Sequence, residues 1–455
     1  MKYLSESDIP EILNDIKDLI DSQNTGSLKN ILVDIHPADI AYLLTRLKKE
    51  SRKYLFHLLP TDTASSVLTE LDPPVIEHLL EDTPEKKISK LVVQMDSDDA
   101  ADIISELPDD VANRVLDQVA DEVSDDVKEL LEYKEDTAGG IMALEYVAVN
   151  EKCTVNNTIE QIRKAKEEID IIHTIWIVDD HSVLLGKVSL ANILLAKGNS
   201  PISSIMQSDL QRVDTDEDQE EVANIFRKYD LVTLPVVNKS GRLVGQITID
   251  DIIDVVDEEA SEDIAIFAGA QDEELQEESF LKISWVRLPW LVLALIGELI
   301  SATVLAGYES TLSQKIALIF FVPIIMALGG NSGVQSSIIV IRGLATGEIG
   351  LGTTRQRFLR ELRVSLFIGF IFAILIALIV GFWLNSYTLG IVIGLALNIV
   401  IMQATLFGGL IPFLLKRMNI DPALASGPFI TTFNDILGLL IYLTIVTFAL
   451  NMYII

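Results

Sequence analysis

The sequence predicts a multi-domain membrane protein: a cytosolic α-helical superhelical domain, an α/β domain of two tandem modules, and a five-helix α transmembrane domain. Three observations lead there. Charge is segregated: the 455 residues carry a net −32, yet from Ser284 onward nine basic residues stand against six acidic ones, or +3, which leaves −35 on residues 1–283. The weakly charged part holds five apolar stretches, each long enough to cross a hydrocarbon core of about 30 Å, which takes about 20 residues. The acidic part changes near residue 134 from helical to alternating periodicity.

Residues 1–133 read as short helices separated by Pro or Asp, with apolar residues at helical spacing. A loose repeat runs Pro37/Asp39/Ala41/Leu44, then Pro60/Asp62/Ala64/Val67, then Ser97/Asp99/Ala101/Ile104. Pro or Asp at each start suits a helix cap or first turn, and stacked helices bury faces that no single repeat could bury alone. So strong a negative charge repels nucleic acid, and no nucleic-acid partner is expected. A single cysteine, Cys153, excludes an intramolecular disulfide framework and any Cys-rich metal site. The opening MKYLSESDIPEILND has no apolar signal core, so the acidic part is expected to stay in the cytosol.

Residues 134–257 contain two copies of one pattern, at about 138–200 and 201–257. In the second, a helix Glu220–Tyr229 leads to the strand Leu234–Val237, a turn at Lys239–Arg242, the strand Leu243–Thr248 and a helix from Asp250. In the first, the helix Val155–Lys166 leads to Ile175–Val178, a turn at Asp179–Ser182 and Leu185–Ser189. Both copies resemble the CBS module, a small βαββα unit that occurs in pairs and often senses nucleotides or ions. In that family a Ser or Thr and an Asp three residues later hold a ribose. Thr248 and Asp251 match the pattern, whereas Ser189 is followed by Asn192. ATP as a regulatory ligand of the second copy and a purely structural pair both stay open.

After a connecting segment, residues 258–283, the transmembrane domain is expected over 284–455. Its spans are roughly Leu288–Tyr308, Ile316–Ile341, Val364–Leu384, Leu389–Leu415 and Pro428–Ile455. The loop after the second span holds Arg342, Arg355, Arg357, Arg360 and Arg363, and Lys416 and Arg417 follow the fourth. The positive-inside bias then predicts a multi-pass protein of the cell membrane with a cytosolic N-terminus and an extracytoplasmic C-terminus.

Several groups could carry chemistry. The stretch DDIIDVVDEEASED from Asp250 sets Asp251, Asp254, Glu258 and Glu262 along one helical stripe, where like charges repel unless a cation neutralises them. A second acidic run, Asp96 to Asp102, places Asp98 and Asp102 one turn apart. Neither has His or Cys beside it, so Mg2+ or Ca2+ suits them better than a soft metal. Within the spans only Glu298 and Asp435 are charged, and an intramembrane charge points to function. Asp435 lies about 10 Å beyond Pro428 along a helix. The second span, with Pro323, Gly329, Gly330, Asn331, Gly333 and Gln335, is expected to break its helix and line a polar pathway together with Asp435. Mg2+ sheds water reluctantly, so one or two carboxylates with carbonyls and amides suit it. No G-x-x-x-x-G-K-[ST] loop is present, and all five histidines lie in the acidic half, which leaves an enzyme unexpected. An exporter or antiporter of Mg2+ or another divalent cation, or a CBS-regulated osmolyte carrier, are the other readings.

Three motifs then converge. Tyr133-Lys-Glu-Asp-Thr-Ala-Gly139-Gly140-Ile-Met142, Gly329-Gly330-Asn331-Ser-Gly333-Val-Gln335, and Asp421-Pro-Ala423 with Gly427-Pro428 and Thr431-Thr-Phe-Asn-Asp435 together resemble the MgtE family of magnesium channels, in order along nearly the whole chain. The resemblance implies a homodimer in the lipid bilayer with one central pore, admitting Mg2+ down its gradient and closing when cytosolic Mg2+ is plentiful. It implies that Asp435 holds the pore ion near Gly329, Gly330 and Asn331. It further implies that Asp98 and Asp102 share ions with Asp251, and that Asp254, Asp230, Glu220 and the backbone at Gly140 form other sensing sites. Glu259, Glu262 and Asp263 would face a connecting helix, about Glu262 to Lys282, that plugs the pore. The chain departs from the family in having Gly427 before Pro428 and Asn434 before Asp435.

Overall fold

A computed structural model describes residues 4–5, 7–166, 169, 171–270, 280–345, 349, 354–418, 420–425 and 427–452. The chain divides into two compact units, Met1–Val256 and Asp257–Ile455.

The first unit opens with ten helices, α1 (Ile9–Asp21) through α10 (Asp121–Leu130). Each is too short to be stable alone in water, so packing must hold it. The repeat read from the sequence coincides with α3 (Pro37–Thr45), α5 (Thr61–Leu68) and α8 (Ser97–Ser105). Its apolar members Ala41, Leu44, Ala64, Val67, Ala101 and Ile104 are all buried in one core. Asp39, Asp62 and Asp99 sit in first turns, where the helix dipole favours them. The cap of α3 is instead the His36 ring, which accepts from the Ala38 amide at 3.3 Å.

Two three-stranded sheets follow, built alike. In the first, β1 (Val147–Asn150) runs parallel to β2 (Thr174–Val178), which pairs antiparallel with β3 (Leu184–Ser189). In the second, β4 (Val213–Asp214), β5 (Thr233–Val237) and β6 (Leu243–Thr248) repeat that order. Registers correspond, Thr174 opposite Ser189 and Thr233 opposite Thr248, and each central strand bulges near its end. The helices are α11 (Val155–Ala165), α12 (Leu190–Leu195), α13 (Gln219–Tyr229) and α14 (Ile249–Ala268). The copies face each other. Trp176 is fully buried and donates from its indole N–H to Gln246 Oε1 at 3.0 Å, and the Thr174 and Thr233 hydroxyls meet at 2.7 Å.

Among its described residues the second unit contains five helices long and apolar enough to cross a membrane: α15 (Phe280–Gly307), α17 (Val322–Ala345), α18 (Thr354–Trp383), α19 (Tyr387–Arg417) and α20 (Gly427–Asn451). A short α16 (Glu309–Gln314) separates the first two. Helix α19 is the central one, packed by α17, α18 and α20, while α15 lies along α20. The expected segment 258–283 falls on the end of α14, on residues 271–279, which lie outside the described residues, and on the start of α15.

One expectation is corrected. The second span does not break at its glycines, because α17 runs unbroken through Gly329, Gly330 and Gly333. The irregular part is the preceding 3-10 turn, Ile316–Phe321, and Pro323 falls in the first helical turn, where its missing N–H costs nothing. The glycines serve close packing instead. A Cβ at Gly333 would stand 2.1 Å from Asn434 Nδ2, and one at Gly329 would stand 3.0 Å from Val400.

Candidate functional site

In the first unit the acidic run on α8 meets the start of α14. Asp98 is buried at 9% exposure, and Asp251 and Asp99 are half-buried beside it. Burial, followed by the nearby charges of Asp251 and Asp99, holds the Asp98 carboxyl well above its ordinary range. Burial and the Asp251 charge push Asp99 up to about 7. Burial also raises Asp251 to about 6, against the opposing hydrogen bond from Thr248. That hydroxyl donates to Asp251 Oδ2 at 2.8 Å, at the start of α14. In the first copy Ser189 merely caps α12, accepting from the Asn192 amide at 3.3 Å. Asp102 and Asp254 stand exposed on α8 and α14.

The Gly140 loop packs against the beginning of the second copy. Gln219 donates its amide to the Asp136 carbonyl at 3.0 Å, and Gly139 donates to Thr215 at 2.9 Å. This brings Gly140 toward the first turn of α13, which carries Glu220. A Cβ at Gly140 would meet the Lys134 carbonyl at 2.3 Å, which explains the glycine. Asp230 ends the same helix in a left-handed conformation, with φ 51°. In the second unit, burial and the charges of Asp421, Glu259 and Glu262 raise Asp263 to about 6. Among the described residues no three or more His, Cys, Asp or Glu converge as a metal cage.

The membrane site lies where α15, α17 and α20 meet. Asp435, on α20, is half-buried, and its carboxyl lies near that of Glu298 on α15. Gly297, beside Glu298, sits so close to α20 that an added Cβ would stand 1.9 Å from Thr432 Cγ2. Gly330 leaves the space beside Asp435, since a Cβ there would come within 3.8 Å of Oδ1. Asn331 and Gln335 are exposed on α17, as Glu298 is on α15. The next-door Asn434 turns the other way and is 0% exposed. Its Oδ1 accepts from Gln403 Nε2 on α19 at 3.2 Å, while Asn434 Nδ2 and Gln403 Oε1 are buried without partners. Asp435 is therefore neither turned wholly outward nor sealed within the bundle.

Two features escaped the sequence reading. Gln403 gives no charge or glycine signal, and its partner depends on helix rotation. Glu361 lies outside the apolar run assigned to the third span, yet it is 7% exposed, accepts from the Ser336 hydroxyl at 3.0 Å and pairs with Arg357 at 2.7 Å. The i, i+4 spacing of Arg357 and Glu361 was the available clue.

Residues 322–445 match the family described as divalent cation transporter, residues 35–136 the MgtE intracellular N domain, and residues 202–258 the CBS domain. These features define the class as a multi-pass transporter of divalent cations with CBS modules. The magnesium transporter MgtE of Thermus thermophilus is 35% identical over 443 residues, covering 96% of this chain and 98% of that protein. The magnesium transporter MgtE of Bacillus subtilis is 32% identical, covering 92% and 93%. A crystal structure of the cytosolic domain of the Mg2+ channel MgtE in complex with ATP matches with 34% identity and a TM-score of 0.51, covering 53% of this chain and 99% of that one. The chain belongs to the MgtE family.

Proposed function

We propose that this chain passes Mg2+ across the cell membrane down its electrochemical gradient, as a homodimer with one pore, and that cytosolic Mg2+ closes it. The observation that carries the reading is the half-buried Asp435 in the last span, beside Gly330. A carboxylate and nearby amides offer outer-sphere partners to an ion that keeps its waters. A potential of 100 mV is worth about 2.3 kcal/mol per unit charge, so about 4.6 kcal/mol for a dication entering a negative interior, and electrodiffusion is then enough. Glu298, Asn331 and Gln335 are exposed at membrane depth in a single chain. Such groups are costly against lipid, which favours a second copy completing a wet path.

The closing device rests on carboxylates. Asp98, Asp99 and Asp251 crowd together in a half-dry setting. A dication shared by Asp98, Asp102 and Asp251 relieves that repulsion. Asp254, Glu220, Asp230 and the Gly140 backbone supply further sensing positions, and Glu259, Glu262 and Asp263 bring ions to the connecting segment. The formed Thr248–Asp251 pair supports ATP as a regulatory ligand of the second CBS copy alone. The N-terminal unit is cytosolic and the C-terminus extracytoplasmic.

The test is Mg2+ uptake into liposomes. Asp435→Ala should reduce flux at least about tenfold, about 1.4 kcal/mol at the site. Wild-type flux would remove Asp435 from the pore.

A further inference from the structure

Helix α18 carries four arginines, Arg355, Arg357, Arg360 and Arg363, and one carboxylate, Glu361. That carboxylate is already committed. It faces inward, buried, holding Arg357 at 2.7 Å and the Ser336 hydroxyl at 3.0 Å. Arg360 and Arg363 lie on the opposite face, exposed, with no carboxylate partner among the described residues. They stand three apart, so on a helix they are neighbours of like charge, an arrangement that costs stability unless an anion lies between them.

What surrounds them is equally specific. Gln356, Leu359, Arg360 and Arg363 follow the i, i+3, i+4, i+7 spacing of one helical face and, with Val364, form one open surface patch. The same face continues into the membrane span as Phe367, Phe370, Ile371 and Ile374, with Phe367 67% exposed. Arg363 and Phe367 are four residues apart, about 6 Å along the axis. A cationic, hydrogen-bonding patch thus adjoins a bare apolar stripe at one end of a membrane-spanning helix. A phosphate with acyl chains attached complements both parts, whereas a soluble anion uses only the first.

We propose that the Gln356–Arg360–Arg363 face of α18 is a docking surface for the headgroup of an anionic phospholipid, whose chains lie along Phe367 and Phe370. The site is separate from the ion path at Asp435 and does not depend on that reading.

The test uses the purified full-length protein, with native mass spectrometry of bound lipid after exchange into equal amounts of phosphatidylglycerol and phosphatidylcholine. The wild type should retain phosphatidylglycerol in preference. At about a fivefold effect per arginine, Arg360→Gln/Arg363→Gln should weaken that retention about 30-fold. Arg360→Lys/Arg363→Lys should keep most of it, and Arg212→Gln, in the first unit, should leave it unchanged. Excess inorganic phosphate should not displace the lipid. The wild-type preference alone is decisive should the glutamine variant fail to fold, because equal retention of both lipids overturns the proposal. Undiminished retention by a folded glutamine variant also overturns it, as does displacement by phosphate. So does a glutamine variant that falls from dimer to monomer with its lipid intact, which would assign the face to a second copy of the chain.

Discussion

Asn434 and Asp435 are neighbours with opposite surroundings, and the helix turn between them decides what each can do. Asn434 is wedged over Gly333 and bonded to Gln403, which fixes the rotation of α20 and leaves Asp435 at the edge of the bundle. Gly333→Ala would place a methyl group 2.1 Å from Asn434 Nδ2 and 3.0 Å from Ile430 Cγ2. We expect a loss of about 1–3 kcal/mol, typical of overpacking, seen as a lower melting temperature in detergent. Gly333→Ala/Asn434→Ala should recover much of it, as contacting residues couple; a double variant as unstable as the sum of the two would contradict the wedge. Asp435 and Asn331 were legible in the sequence because a charge or an amide stands out within an apolar run. The Gln403 and Glu298 partnerships were not, since they depend on which faces of α19 and α15 turn toward α20.

The α8 and α14 helices hold their carboxylates at a cost that depends on pH. Burial and mutual repulsion raise Asp99 to about 7 and Asp251 to about 6. Because these folded-state values lie above those of the unfolded chain, their contribution to stability is fully present below the ordinary carboxylate range and is lost as pH rises through about 6 to 7. A bound dication offsets that loss only when the carboxylates are charged. Mg2+ should therefore raise the melting temperature of the full-length protein more at about pH 8 than at about pH 5. Asp99→Asn/Asp251→Asn should flatten the difference, and an equal Mg2+ shift at both pH values would contradict the assignment. The paired βαββα modules and the stacked repeat were readable in the sequence, because alternation and helical spacing are local signals. The continuity of α17 was not. Glycine and proline weaken a helix in isolation, but in a membrane the backbone must satisfy itself, and close neighbours such as Asn434 and Val400 fill what the glycines leave.

Across the whole chain, an acid-rich N-terminal unit and a polar membrane site are parts of one proposed device, in which the ion that permeates also decides whether the path is open. Moving a two-state gate from 1:99 to 99:1 takes about 5.5 kcal/mol, which several weak ion sites can supply jointly and which makes closure steep. Asp251→Ala/Asp254→Ala/Glu259→Ala should make closure require far more internal Mg2+ while leaving conduction at low internal Mg2+ near that of the wild type. The segregation of charge already displayed this division of labour in the sequence. The most direct measurement is current across a planar bilayer containing the purified protein, with Mg2+ as the sole permeant cation and its concentration varied on the cytosolic side. The account predicts a Mg2+ current at low cytosolic Mg2+ that shuts off steeply as cytosolic Mg2+ rises. No Mg2+ current, or one indifferent to cytosolic Mg2+, would contradict it.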